Sequence, residues 1–174
     1  MDDSLLGIYL NDHLAGATAG TDLAKRLAAG ERNWSGGPAL RELSEEVEQD
    51  RATLIEIMRM LDVPVRQYKV LAAWAVEKLG RLKLNGRLLG RSPLSRLVEL
   101  EAMQLGVEGK AAAWKTLRAR ADTDQRLGAD LLDELINRAR EQAGRLERLR
   151  VRAAAELFSD EPAPFERRPA AGPQ

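Results

Sequence analysis

The chain has no cysteine among its 174 residues, and its only histidine is His13. Without cysteine there are no disulfides, no thiol nucleophile, no cysteine-ligated zinc and no iron–sulfur cluster. Aromatic residues make up only 4% of the sequence, so a core has to be built from leucine, alanine, valine and isoleucine. The β-branched residues that favour strands are also sparse. This composition favours an all-α protein.

The sequence also lacks an excess of one charge and lacks long apolar runs. Lysine plus arginine and aspartate plus glutamate number 27 each, so the formal net charge is zero. Bulk nucleic-acid or membrane binding usually needs a large positive excess. No apolar run approaches the roughly 20 residues that span a bilayer, and the acidic start of the chain predicts no signal peptide. We therefore expect a cytoplasmic protein with no membrane span and no strong nucleic-acid signal.

Apolar residues recur at steps of three and four along four long segments, which is the pattern of helices that each bury one face. Gly30 is a typical helix end, and Pro38 occupies a favoured first helical position. Ser92 predicts the cap of the third helix and Asp130 the cap of the fourth. The predicted helices are residues 4–29, 38–61, 93–121 and 130–158.

The first two predicted helices carry continuous apolar stripes, each interrupted in the middle by one polar residue. The first stripe is Leu6, Leu10, His13, Ala17, Gly20, Ala24 and Leu27. The second stripe is Leu40, Leu43, Val47, Asp50, Leu54, Ile57 and Leu61. If these helices are antiparallel and in register, His13 and Asp50 lie within about a turn of each other. We expect a structural His–Asp pair that satisfies two buried polar groups.

The connections predict the topology. Two of them are short and imply two antiparallel hairpins, whereas residues 64–92 are far longer than a helix–helix turn needs. This segment contains the pattern of a short helix and can cross the bundle, as in ferritin-like proteins. We expect an antiparallel four-helix bundle over residues 1–158, with a disordered proline-rich tail over 159–174.

The third predicted helix has two carboxylates within a wide apolar arc, Glu101 and Glu108. Carboxylates in such an arc are costly to bury unless they are paired or bind a metal. Pairing with the fourth helix is the simpler interpretation, and the candidate partners are Arg138, Arg140, Gln142 and Arg145. The alternative is a metal site formed by His13, Asp50, Glu101 and Glu108, with Glu46 in reserve. One histidine with three carboxylates suits iron or manganese better than structural zinc.

Two stretches of sequence resemble a known family. Tyr9-Leu10-Asn11-Asp12-His13-Leu14-Ala15 is similar to the start of the first helix of bacterioferritins, in the ferritin-like superfamily. Glu46-Val47-Glu48-Gln49-Asp50-Arg51, with the following Leu54-Ile55-Glu56-Ile57-Met58, is similar to their second helix. The resemblance implies a di-iron centre with one Glu each from the first and third helices and a Glu-x-x-His from the second and fourth.

Most of these ligand positions are not retained. Glu46 matches the glutamate of the second helix. The other five positions hold Ala17, Gln49, Met103, Ala139 and Gln142. The resemblance therefore implies a ferritin-like bundle that lacks its di-iron centre, which argues against iron storage or oxygen activation.

A basic segment precedes the third predicted helix. It contains no acidic residue between Lys78 and Val98, and leucines alternate with its charges. It could bind a phosphate-bearing ligand, an acidic partner or anionic headgroups. The simpler interpretation is that its leucines pack on the bundle while its charges face water. The candidate anion-binding residues are Arg81, Lys83, Arg87 and Arg91.

The wide apolar arc of the third helix, which includes Leu94 and Leu105, suggests contact with a second copy of the chain. We therefore predict a homodimer. Trp34 is the one plausible interface anchor, although packing over the bundle end is its more common use.

With no nucleophile constellation and a degenerate ligand set, we favour a non-catalytic binding or assembly module without a cofactor. The alternatives are a metal-binding protein or oxidoreductase that uses His13, and an anion-binding module.

Overall fold

The computed structural model describes residues 3–66 and 92–159. Within these ranges the chain forms four α-helices and no strand. They are α1 (Asp3–Gly30), α2 (Gly37–Met60), α3 (Pro93–Ala121) and α4 (Ala129–Phe158). The predicted all-α four-helix fold is confirmed, and each boundary lies within one residue of the prediction. No helix in the described ranges combines the length and apolarity needed to cross a membrane.

The structure confirms the predicted cap at Ser92 and contradicts the predicted cap at Asp130. The Ser92 hydroxyl accepts a hydrogen bond from the Ser95 backbone N–H, as predicted for an N-cap. The predicted Asp130 cap is wrong. The chain is already extended at Gly128, which is the N-cap of α4 and makes no side-chain cap hydrogen bond. Asp130 lies instead in the first helical turn, where the helix dipole favours a negative charge.

The core follows the predicted stripes, with one exception. All seven positions of the second stripe are buried, including Asp50. In α1 the ends of the stripe, such as Leu10 and Leu27, are buried, but its middle is only partly buried. The partly buried middle positions are His13, Ala17 and Gly20. The centre of α1 is therefore not fully covered by its neighbours.

Helix α1 packs against α2 and α3, and α4 packs against α3 and, more sparsely, against α2. The start of α1 meets the end of α3 through a hydrogen bond from Tyr9 to Thr116. The end of α1 meets the start of α3 at Glu31 and Arg96. The crossover, its short helix and the tail beyond Ser159 lie outside the described residues, so these parts of the topology remain predictions.

Trp34, in the α1–α2 loop, packs over one end of the bundle. Its indole Nε1 donates to Glu156 Oε2 at 2.7 Å, and the Arg96 guanidinium lies 4.6 Å from the ring centroid. Gly36 packs so closely that a Cβ there would lie 2.3 Å from the indole. Trp34 thus joins the loop to α3 and α4 in the way predicted for packing over the bundle end.

Candidate functional site

Six polar side chains from three helices meet at the centre of the bundle, and we call them the polar cluster. They are Glu46 and Asp50 of α2, Lys110 of α3, and Arg138, Gln142 and Arg145 of α4. Each helix contributes through its inward face, since Asp50 is 2% exposed and Gln142 is fully buried. The cluster therefore places ionic groups inside an otherwise leucine-rich core.

Asp50 and Lys110 form the centre of the polar cluster. The Lys110 ammonium donates hydrogen bonds to Asp50 Oδ2 and to Gln142 Oε1. The Gln142 amide in turn donates to Asp50 Oδ2 at 3.1 Å. Arg138 Nη2 lies 2.8 Å from Asp50 Oδ1. This contact is an ion pair without hydrogen-bond alignment, because Oδ1 has no hydrogen bond to any described residue.

The second part of the polar cluster joins α2 to α4. Gln142 Nε2 donates to Glu46 Oε2 at 3.0 Å, and the Arg145 guanidinium donates to the same oxygen. Glu46 and Arg145 are partly exposed, at 27% and 24% of their side chains. These polar groups fill the seam where α2 and α4 make few direct contacts.

Charge and burial act on the ionisation of this cluster. Burial lowers the pKa of Lys110, and the nearby Asp50 carboxylate opposes that effect without cancelling it. Partial burial disfavours the charged form of Glu46, but hydrogen bonds from Arg145 and Gln142 outweigh it, so the pKa of Glu46 is lowered. Three cationic side chains face two carboxylates, so the cluster is electrically balanced when Lys110 is neutral.

A cavity of about 210 Å³ lies beside the polar cluster, between α1 and α3, with α2 behind it. We call it the α1–α3 cavity. Its walls are mainly apolar and include Ala17, Leu54 and Met103. Asp50 and Lys110 are among its polar lining residues. An engineered apolar cavity of about 150 Å³ holds benzene, so this one has room for a compact bicyclic molecule.

Four helical glycines line the α1–α3 cavity, two from each flanking helix. They are Gly16, Gly20, Gly106 and Gly109. A Cβ built at any of them meets no described atom within 4 Å. Close helix packing therefore does not require glycine there. Gly16, Gly106 and Gly109 are exposed and Gly20 is partly buried, so the cavity is open to solvent along these glycines. Each glycine in a helix interior costs about 1 kcal/mol relative to alanine.

Trp114 lines the same cavity and contains a buried hydrogen-bond donor. Its side chain is 1% exposed, and its indole Nε1 is buried without a hydrogen-bond partner among the described residues. A buried donor without a partner costs about 1–3 kcal/mol.

His13 lines the cavity but does not pair with Asp50, so the predicted His–Asp pair is wrong. Its ring packs edge-on against Tyr9, with centroids 4.5 Å apart. Burial lowers the pKa of His13, partly opposed by the charge of Asp12. Asp50 contacts Lys110 and Arg138 instead.

The other predicted metal ligands lie elsewhere. Glu101 and Glu108 are exposed, so the expectation that they are buried in the apolar arc is wrong. Met103 and Lys110 lie on the inward face of α3. Arg138 and Arg145, which were predicted to pair with these glutamates, contact α2 instead. Among residues 3–66 and 92–159, no group of three or more histidines and carboxylates could hold a metal ion. An iron or manganese site has no geometric support there.

The positions that the bacterioferritin resemblance aligns with metal ligands mostly surround the bundle centre. Ala17 and Met103 line the cavity, and Glu46 and Gln142 belong to the polar cluster. Ala139 is buried, whereas Gln49 is exposed.

The predicted anion-binding residues Arg81, Lys83, Arg87 and Arg91 lie outside the described residues, so that interpretation remains a prediction. Comparisons of the chain with models of protein families, with curated proteins and with solved structures find no match.

Proposed function

We propose that this protein is a binding module that holds one small, largely apolar molecule in the α1–α3 cavity. The observation that carries the proposal is the set of four cavity-lining glycines with room for a Cβ. Alanine is more favourable than glycine at a helical position that serves stability alone. Glycine there is explained by a ligand that occupies the space.

The chemistry of the walls defines the ligand. The apolar surface favours a compact hydrocarbon body, and the polar side chains of Asp50 and Lys110 in the lining favour one polar group on that body. The ionisable side chains that line the cavity are Asp12, Asp50, Arg51 and Lys110, apart from His13. Two are acidic and two are basic, so the walls suit a neutral molecule better than an ion.

The test is calorimetric titration of the full chain with 2-naphthol, a bicyclic probe with one hydroxyl group. We expect one binding site per chain. Ala17→Leu fills the cavity from α1 and should weaken binding at least about tenfold, or about 1.4 kcal/mol. Ala19→Leu is the matched control, since Ala19 is on the same helix but does not line the cavity. Absence of binding to the wild-type chain, or equal affinity of both variants, would contradict the proposal.

A further inference from the structure

Lys110 is the one lysine that lines the α1–α3 cavity in the described ranges, and its position is unusual for a structural ion pair. Its side chain is 15% exposed, and its ammonium contacts Asp50 and Gln142 at the cavity wall. An ammonium usually gains little from burial unless its charge is balanced. In the polar cluster it is not balanced, because Arg138 and Arg145 already match the charges of Asp50 and Glu46.

The geometry points to Lys110 as a site of reversible covalent attachment, where its amine forms an imine with an aldehyde or ketone bound in the α1–α3 cavity. This inference rests on the proposed function and narrows its ligand to a carbonyl compound. The ligand would then be held by a covalent bond in addition to its contacts with the apolar walls.

Two neighbouring groups fit the roles that this step needs. The Lys110 side chain lines the cavity, where its nitrogen can attack the carbonyl carbon of a bound ligand. Asp50, already in contact with the ammonium, can accept the proton that must leave before the nitrogen attacks.

The step balances without any other reagent. Asp50 takes one proton from the ammonium, and the neutral amine adds to the carbonyl carbon to give a carbinolamine. The proton gained by the hydroxyl oxygen comes from the attacking nitrogen. Asp50 then returns its proton to the hydroxyl group, which leaves as water. The product is a protonated imine beside the Asp50 carboxylate, so the total charge of the pair is the same before and after.

The lowered pKa of Lys110 agrees with this geometry, because it increases the fraction of neutral, nucleophilic amine. Lys115 provides the contrast on the same helix. It is exposed and does not line the cavity. An aldehyde that reacts with lysines only according to their exposure should therefore modify Lys115 more than Lys110.

The experiment treats the full chain with 2-naphthaldehyde and sodium borohydride, which reduces an imine to a stable secondary amine. Intact mass and peptide mapping then locate the added naphthylmethyl group. We expect at least about tenfold more modification at Lys110 than at Lys115. Lys110→Arg, which keeps the positive charge, should abolish the cavity adduct, and Lys115→Arg should leave it unchanged. Excess 2-naphthol should protect Lys110 by competition.

The outcomes separate this inference from the proposed function. If 2-naphthol binds but modification at Lys110 is no greater than at Lys115, the covalent site is ruled out and the binding cavity stands. If neither compound binds, both fail. Lys110→Met provides a second variant that cannot form an imine, and circular dichroism with 2-naphthol titration shows whether each variant retains its fold and its cavity. An adduct that persists at the same level in a folded Lys110 variant would overturn the assignment.

Discussion

At the scale of single residues, the central observation is that Asp50 pairs with Lys110 rather than with His13. Sequence spacing predicted correctly that Asp50 is buried. It does not predict the partner of Asp50, because Glu101 and Glu108, rather than Lys110, are the polar residues that the sequence pattern places in the apolar arc of α3. Lys110 carries the same signal as Asp50: it interrupts the stripe of Leu100, Met103, Val107, Trp114 and Leu117 at steps of three and four. Gln142 interrupts the stripe of α4 in the same way.

Removing the Lys110 ammonium should destabilise the fold. Lys110→Met removes the hydrogen bonds that the ammonium donates to Asp50 and Gln142, while Gln142 and Arg138 still contact Asp50. A hydrogen bond that involves a charged group contributes about 1.5–3 kcal/mol. We expect a loss of about 2 kcal/mol in the free energy of unfolding by urea. Lys115→Met, at an exposed position on the same helix, should change it by less than about 0.5 kcal/mol. Equal losses in the two variants would contradict the assigned role of the polar cluster.

His13 should make the stability depend on pH near neutrality. Burial lowers its pKa below the usual 6.5, so the unfolded chain binds more protons than the folded chain around and below that pH. Stability is therefore complete above pH 6.5 and falls as the pH drops toward the folded pKa. We expect the wild type to lose stability relative to His13→Gln between pH 7.5 and pH 5. Urea unfolding of both proteins at the two pH values measures the difference. A relative gain for the wild type would contradict the burial of His13.

At the scale of elements, the helix boundaries were predictable because their signals are local. Ser92 and Pro38 mark helix starts through their own hydrogen bonding and backbone restriction. The cap of α4 was misplaced because aspartate and glycine compete at a helix start, and only the backbone conformation at Gly128 decides between them. The α1–α3 cavity was not predictable, since spacing shows which face turns inward but not how far apart two helices stand.

The loop between α1 and α2 should tolerate no side chain at Gly36. Its backbone conformation is open to any residue, so the effect of Gly36→Ala is steric. The added Cβ would lie 2.3 Å from the Trp34 ring and 2.7 Å from Leu149 Cδ2. Overpacking of this kind costs about 2 kcal/mol. Gly7→Ala is the control, because its Cβ would meet only Val63, at 3.8 Å. Thermal unfolding should show a lower midpoint for Gly36→Ala and no decrease for Gly7→Ala.

At the scale of the whole molecule, homodimerisation and the ferritin-like topology remain predictions. The exposed side of α3 is the observation that bears on the dimer. Leu105 is 75% exposed and Leu94 is 53% exposed, so this apolar sector does not contribute to the described core. Light scattering of the wild type should give a dimer mass, and Leu94→Gln with Leu105→Gln should give a monomer. Leu131→Gln, at an exposed leucine of α4, is the control and should remain dimeric. A monomeric wild type would remove the prediction.

The glycines of α1 and α3 that line the cavity either leave room for a ligand or allow close helix packing. These two roles predict opposite changes in stability when alanine replaces glycine. The double variant Gly20→Ala/Gly106→Ala adds one methyl group to each wall of the cavity, where no described atom lies within 4 Å. Alanine favours a helix interior by about 1 kcal/mol per site.

The most direct measurement is therefore the free energy of unfolding and the affinity for 2-naphthol, both determined on this double variant. We predict that unfolding becomes about 1–2 kcal/mol more costly, while binding weakens by about tenfold because the cavity is smaller. Lower stability would show that the glycines are needed for packing. Unchanged affinity would show that the cavity is not the binding site.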